Sequence, residues 1–345
     1  MPFSPVISIV VPMRNEARNV GALMQRLRST LDQLRVRAEV ICIDDGSLDD
    51  TLVALKLARA TDRRIKIVSL SRNFGKETAL AAGLRYARGQ AAILMDADLQ
   101  HPPELVAELV AKWREGYEMV YAQRRDRASE TVGRRWLARA FYRVFGIISR
   151  TALPHGAGDF RLLDRKVINA LNQFDERTRF TKGLYSWVGF RQIGVPYHVV
   201  TREGDGSRWS LLSLWRFAVD GITSFSTLPL RVWSYLGILV SFGAAALGSY
   251  ILLETLIYGS DVPGYASLIV TILFLSGVQL VGLGVMGEYI GRIFDEVKRR
   301  PLYLVREELG FQPGDQTSGP GPQGREIRLA AIGGTRLDGP DGLGL

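Results

Sequence analysis

An α/β domain on a mostly parallel sheet, joined to a two-helix membrane hairpin, is the fold class expected of this 345-residue chain. Three observations predict it. Short apolar runs alternate four times with helical patterns between Ile7 and Trp113. Two long apolar stretches cover residues 233–258 and 266–290, and the loop after every early apolar run is rich in Asp, Asn, Arg, Gly or Ser. Short apolar runs bounded by turn residues read as buried strands, and strand–helix alternation implies parallel pairing under a cover of helices.

The first strand spans residues 7–11, and Val20, Leu23, Leu27, Leu31 and Leu34 then recur at helical spacing from near Ala17. A strand over 40–43 leads through "DDGSLDD" to a helix over 51–60. A strand over 65–70 leads through "SRNFGKE" to a helix over 78–88. The fourth unit is "AAILMDADLQHPPE": a strand over 91–95, two aspartates, then prolines that stop the strand and suit the first turn of a helix over 104–113. Asp96 and Asp98 therefore stand where a buried strand ends. In open α/β sheets that is the ligand-binding edge. A solvated turn is the plain alternative, because Asp is common in turns.

A formal charge of +9 fits nucleic acid, an anionic membrane surface or an anionic substrate, and does not choose among them. A hydrophobic content of 47% is high for a chain wholly in water. The single cysteine, Cys42, lies in the apolar run "EVICIDD", which excludes a disulfide framework and a cysteine metal site and predicts a core thiol. No basic region precedes residues 7–11, so that run reads as a strand and not as a signal peptide.

Each C-terminal apolar stretch exceeds the roughly 20 residues that cross a bilayer core. The connecting "GSDVPGY" has no Lys or Arg, whereas Arg231, Arg292, Lys298, Arg299 and Arg300 flank the pair, which predicts both ends in the cytoplasm. Residues 131–150 and the stretch beginning "RWSLLSLWRF" interleave arginines with aromatics, as helices lying on a membrane interface do. Beyond Gly310 the chain turns rich in Gly, Pro and Gln, the composition of a disordered tail. The expected organisation is an N-terminal cytoplasmic domain over 1–207, juxtamembrane helices over 208–231, two spans within 232–292, a post-membrane segment over 293–310 and the tail over 311–345.

Taken in order, "SIVVPMRNE", "CIDDGSLDDT", "SRNFGKETAL", "MDADLQHPPE", "GDFRLLDRK" and "DGITSFSTLPLR", followed by two spans, resemble the family-2 glycosyltransferases of the polyprenyl-phosphate type. That group includes bacterial polyprenyl-phosphate glucosyltransferases and, more distantly, dolichol-phosphate mannose synthases. The resemblance runs from Ser8 to Arg300. It implies a Rossmann-like nucleotide-sugar-binding domain of the GT-A type, a nucleotide-sugar donor, Mg²⁺ or Mn²⁺, a lipid-phosphate acceptor and a homo-oligomer, relatives often being tetramers.

Carried residue by residue, the resemblance makes Asp96, Asp98 and Gln100 the grip on metal and diphosphate. Hard oxygen ligands suit a divalent cation there. His101 stands where relatives often carry Asp and is read as a loop residue. Pro12, Asn15, Glu16, Asp44 and Asp45 resemble the nucleotide pocket, with the choice between Asp44 and Asp45 for base or ribose left open. Lys76 would neutralise the diphosphate, a surface lysine being the alternative. Ser47, Asp49 and Thr51 read as turn and helix-cap residues. A lipid phosphate needs clamps and no strong base, and Arg124, Arg134 or Arg135, Arg161, Arg202 and Arg208 are the candidates. Asp159 occupies the position where other inverting relatives place a base, or orients Arg161 or the sugar hydroxyls.

The function these expectations compose is inverting, metal-dependent transfer of a hexosyl unit to polyprenyl phosphate at the cytoplasmic face of the inner membrane. UDP-glucose and undecaprenyl phosphate are the preferred pair. The rivals are mannosyl transfer from GDP-mannose, a processive polysaccharide synthase, and an inactive membrane scaffold. Processive synthases carry "QxxRW", and the nearest stretch here is "VGRRW". No G-x-G-x-x-G follows the first strand, against a dinucleotide oxidoreductase. The arginines lie beside the spans, against nucleic acid as a partner.

Overall fold

The structure is a computed structural model, described over residues 6–99, 102–124, 157–174, 176–177, 181–197, 228–258 and 264–311. The four βα units are present. They are β1 (Ile7–Met13), α1 (Ala17–Leu34), β2 (Ala38–Asp44), α2 (Thr51–Thr61), β3 (Ile65–Leu70), α3 (Lys76–Tyr86), β4 (Ala91–Leu94) and α4 (Val106–Arg114). Pro103 opens a 3-10 turn, Pro103–Leu105, that leads into α4. Every residue of β1, β2 and β4 is buried, which is why these strands read as unbroken apolar runs and not as alternating ones.

Four further strands extend the sheet: β5 (Met119–Arg124), β6 (Ala157–Asp164), β7 (Gln192–Tyr197) and β8 (Val305–Leu309). Among the described residues the sheet order is β7-β5-β6-β4-β1-β2-β3-β8. α5 (Arg165–Leu171) and α6 (Thr181–Trp187) connect β6 to β7. One apolar layer packs α1 and α4 on the sheet through Leu23, Leu27, Leu31, Val106 and Leu109. The other packs α3, α5 and α6 through Leu80, Leu84, Ile168 and Leu184. Both layers rest on the same strands, so the sheet is covered on both faces.

Strand direction decides where chemistry gathers. β1, β2, β3 and β4 are mutually parallel, so Met13, Asp44, Leu70 and Leu94 end at one edge. β6 runs antiparallel to β4 with Arg161 opposite Leu94, so β6 starts at that edge. β5 runs antiparallel to β6 and ends there at Arg124, with a register shift between Tyr121 and Gln123 that bends the strand. β8 is antiparallel to β3, with Val305 opposite Leu70. It too enters from the site edge.

Residues 305–309 are expected from sequence to be a plain segment after the membrane helices, and they are instead the edge strand of the sheet. Side chains fasten them. Lys56 pairs with Glu307 at 2.9 Å, Tyr86 Oη donates to Glu308, and the Phe311 ring packs on Tyr86 with centroids 4.9 Å apart. The Ser71 N–H donates to the Leu304 carbonyl at 2.8 Å.

α7 (Leu228–Tyr258) and α8 (Tyr265–Val297) have 31 and 33 residues. At about 1.5 Å per residue each outruns the ~30 Å hydrocarbon core of a bilayer. Their side chains face outward, with Phe242 73% and Leu256 74% exposed. A helix of a soluble bundle would bury one face against its own chain. Because β8 pairs with β3, the chain before α7 and the chain after α8 lie on the same side of any membrane these helices cross. The expected interface helix over 131–150, residues 208–227 of the expected juxtamembrane helices over 208–231, and all of the expected tail over 311–345 but Phe311 lie outside the described residues; residues 228–231 are instead the start of α7.

Candidate active site

The loops that leave the strand ends hold one another. After β1 the chain turns at Asn15 with φ +55°, a left-handed conformation that Asn tolerates better than most residues. The Asn15 side-chain oxygen accepts from the Leu48 N–H at 2.8 Å. In return the N–H groups of Asn15, Glu16 and Ala17 donate to Ser47 Oγ, Thr51 Oγ1 and Asp49 Oδ2 at 3.0, 2.8 and 3.2 Å. Sequence alone gives those three side chains to the start of α2. Asp49 does accept from the Thr51 N–H at 3.1 Å, but the cap of α2 is Asp50, with no side-chain bond. Their larger task is to satisfy the open N–H groups at the start of α1.

Asp44 and Asp45, only 2% and 3% exposed, close the end of β2. Asp44 accepts from the Ser47 N–H at 3.0 Å and from Ser69 Oγ at 2.8 Å. Asp45 accepts from the Phe74 and Gly75 N–H groups at 2.7 and 2.9 Å. Gly46 beside them has φ +62°, and a Cβ there would lie 2.4 Å from the Arg72 carbonyl carbon. Only glycine lets the two strand-end loops approach so closely. Asp45 therefore fixes the loop that delivers Lys76. Pro12 is buried in β1, opposite Ile43, and Glu16 accepts from the Asn19 side chain at 2.5 Å.

Lys76 is the centre of the constellation. Its Nζ donates to Asp96 Oδ2 at 2.9 Å and to Asp159 Oδ2 at 2.7 Å, and reaches Asp96 Oδ1 at 2.7 Å. The antiparallel ladder explains the meeting, since continuing it two residues beyond the Leu94–Arg161 pair sets Asp96 beside Asp159. Burial works against the ammonium's charge, but Asp159 and Asp96 outweigh it and hold the Lys76 pKa above its ordinary value. Burial alone would raise the Asp159 carboxyl, whereas Lys182, Lys76 and Arg161 bring it below the ordinary carboxylate value. Lys182 Nζ stands 3.9 Å from the second oxygen, Oδ1.

Asp98 is half-buried in the turn after Asp96, and the next residue, Leu99, has φ +60°. That conformation is costly for a leucine, and strain of this kind clusters at functional sites. Arg161 is 4% exposed, its guanidinium 3.8 Å from the Tyr185 ring centre, with Nη2 donating to the Gly158 carbonyl at 2.6 Å. Its Nε has no hydrogen-bond partner among the described residues. The backbone brings Arg124 to the same edge, opposite Tyr197. Gln100, Arg134, Arg135, Arg202 and Arg208 lie outside the described residues.

Three residues of the constellation escape a reading of the sequence: Lys182, Glu77 and Thr181. Thr181 Oγ1 donates to the Glu77 carboxylate, tying α6 to α3. Burial, then Asp159, push the Glu77 carboxyl up to about 7 against the pull of Lys76, Lys182 and Arg161. A carboxyl raised on folding favours the folded state below its unfolded pKa, 4.5, and loses that contribution as pH rises through about 7. Glu77→Gln is therefore expected to flatten the fall in stability between pH 5 and 7. Thermal unfolding midpoints of the two proteins across that range measure it.

Among the described residues there is no histidine, and burial pushes the Cys42 thiol up to about 12, so no Ser–His or Cys–His pair operates there. Acids gathered at the strand ends, two of them bridged by Lys76, form the kind of edge at which open α/β enzymes bind their ligands. Residues 8–171 match the family described as Glycosyl transferase family 2. The chain is 54% identical over 306 residues to an uncharacterized glycosyltransferase of Synechocystis sp., covering 89% of this chain and 96% of that one. It is 42% identical over 307 residues to the SfII prophage-derived bactoprenol glucosyl transferase of Shigella flexneri, covering 89% and 99%. Among solved structures it is similar to glucosyl-3-phosphoglycerate synthase from Mycobacterium tuberculosis, with 21% identity, 64% and 78% coverage and a TM-score of 0.42. The protein belongs to glycosyltransferase family 2 and is a glycosyltransferase.

Proposed function

We propose that this enzyme transfers a hexosyl unit, glucose from UDP-glucose, to a polyprenyl phosphate at the cytoplasmic face of the membrane crossed by α7 and α8. One observation carries the lipid acceptor: the chain leaving α8 enters the sheet at the edge that holds Lys76, Asp96 and Asp159. The carboxylate edge and the apolar hairpin are joined by the few residues between Val297 and Val305. The relatives named bactoprenol glucosyl transferase, matched along nearly their whole length, support the same acceptor class.

The chain's own residues suit the donor. Asp96 and Asp98 are hard oxygen ligands at a rigid strand end, and the Lys76 ammonium already occupies a cation's place between Asp96 and Asp159. Mg²⁺ or Mn²⁺ held by Asp96, Asp98 and Gln100 would stabilise the charge of the departing nucleotide diphosphate. The Asp44 and Asp45 loops shape the nucleotide side, the two buried carboxylates holding those loops in place through Ser47, Ser69, Phe74 and Gly75. Arg161 acts from beneath as a buried positive charge beside Asp159, a positioning role in place of the open clamp its sequence context suggests. Arg124 ends β5 at the same sheet edge, and Arg124, Arg134 or Arg135, Arg202 and Arg208 are the candidates to hold the acceptor phosphate. An ionised lipid phosphate attacks in line from that side without a general base, which leaves Asp159 to orient the lysines and the sugar.

The test is incubation of purified protein and Mg²⁺ or Mn²⁺ with UDP-glucose, GDP-mannose and other nucleotide sugars plus undecaprenyl phosphate, followed by mass spectrometry of the lipid. A hexosyl-phosphoundecaprenol product from UDP-glucose is expected. Product only from GDP-mannose, or none without a growing polysaccharide, would reassign the donor or the reaction.

A further inference from the structure

We infer that Lys76 is a built-in counter-ion that keeps the metal site closed to a bare divalent cation until a nucleotide diphosphate arrives. The inference rests on the metal reading above and concerns the order in which that site fills. Nζ lies 2.7 Å from Asp96 Oδ1, 2.9 Å from Asp96 Oδ2 and 2.7 Å from Asp159 Oδ2. It therefore engages both oxygens of the carboxylate that a metal would need.

An ammonium and a divalent cation cannot both sit within a bond's reach of the same Asp96 oxygens, because two positive charges that close repel strongly at the edge of a protein. The protein gains from the arrangement. Asp96 and Asp159 would repel each other in an empty site, and Lys76 compensates both. Its side chain is still 43% exposed, so its four-carbon stem has room to leave. A diphosphate supplies what a bare cation lacks, an anion for the displaced ammonium to follow. Lys76 then exchanges two carboxylates for the phosphate oxygens, and its place beside Asp96 is vacated in the same event.

Lys182 makes the exchange workable from the other side. It approaches Asp159 through Oδ1, the oxygen that Lys76 leaves alone, at 3.9 Å. Asp159 thus retains a cation after Lys76 departs. The Glu77–Thr181 contact holds α3, which carries Lys76, against α6, which carries Lys182, so the two lysines keep their opposite approaches to one carboxylate. Metal entry is coupled to donor entry through this single side chain.

The experiment is titration of the full chain in nanodiscs with Mn²⁺, followed by the electron paramagnetic resonance signal of free Mn²⁺, with and without UDP. Wild type, Lys76→Gln and Lys76→Arg are compared. Without UDP, Lys76→Gln is expected to bind Mn²⁺ on the order of tenfold more tightly than wild type, as removal of one adjacent like charge allows. Lys76→Arg keeps the charge and is expected to bind as weakly as wild type. With UDP, wild type should gain far more Mn²⁺ affinity than Lys76→Gln does. Equal or weaker Mn²⁺ binding by Lys76→Gln in the absence of UDP overturns the inference while leaving the metal reading intact. No Mn²⁺ binding by any of the three, with or without UDP, overturns the metal reading and this inference together.

Discussion

Asp98→Asn is expected to lower hexosyl transfer by roughly 10²- to 10³-fold, the loss that follows when one preorganised charge-stabilising group is removed from a transition state. The substitution keeps the volume of a half-buried side chain in the turn after β4 and changes only its charge and donor pattern. Stability should therefore move by no more than about 1 kcal/mol, the usual range away from core packing. Single-turnover transfer and thermal unfolding on the same preparation separate the two effects. Full activity in Asp98→Asn, or in wild type with excess chelator, removes the metal from the mechanism. A collapse of the unfolding midpoint would instead show that Asp98 is a structural residue.

The second large effect is on stability. Asp45→Ala is expected to destabilise the protein by about 2–4 kcal/mol, because two part-buried N–H groups lose a charged acceptor at once. The groups are those of Phe74 and Gly75, bonded to the two oxygens at 2.7 and 2.9 Å. In a domain of this size that corresponds to a fall of roughly 5–15 °C in the unfolding midpoint. Asp45→Asn keeps one good acceptor and should lie between alanine and wild type. The loop released is the one leading into Lys76, so UDP affinity should fall along with the midpoint. An unchanged midpoint in Asp45→Ala would mean that water replaces the carboxylate without cost and that this loop is held by other contacts.

The four βα units were legible because each early strand is buried on both faces and therefore spells an apolar run. Strand ends were legible for the same reason, since "MDAD" and "CIDDG" mark where apolar residues stop. β8 was not. Its sequence, "VREEL", carries three charges, and its burial alternates between half-buried and exposed, as an edge strand's does. Nothing local says that a polar stretch after two long apolar helices returns to a partner near residue 70. The meeting of Lys76 with Asp96 and Asp159 was equally hidden, because it spans 20 and 83 positions of sequence. It follows from the antiparallel register of β6, which no periodicity announces. Arg161 shows a further limit: its motif places it near the site, but only the packed structure puts it under Tyr185, away from solvent.

The returning strand also sets a timetable for synthesis. A chain made from its N-terminus at about 5–20 residues per second completes β1 through β7 well before residue 305 leaves the ribosome. Until then β3 stands as an open edge with unpaired N–H and C=O groups, a form prone to pairing with other chains. The strand that covers it follows α7 and α8 in the chain and is therefore made only after both. Molecules whose hairpin fails to insert would keep that edge exposed and be open to quality-control proteolysis, while correctly inserted molecules close the sheet as the last step of biogenesis. Completion of the sheet that carries the site thus waits until both long apolar helices have been made.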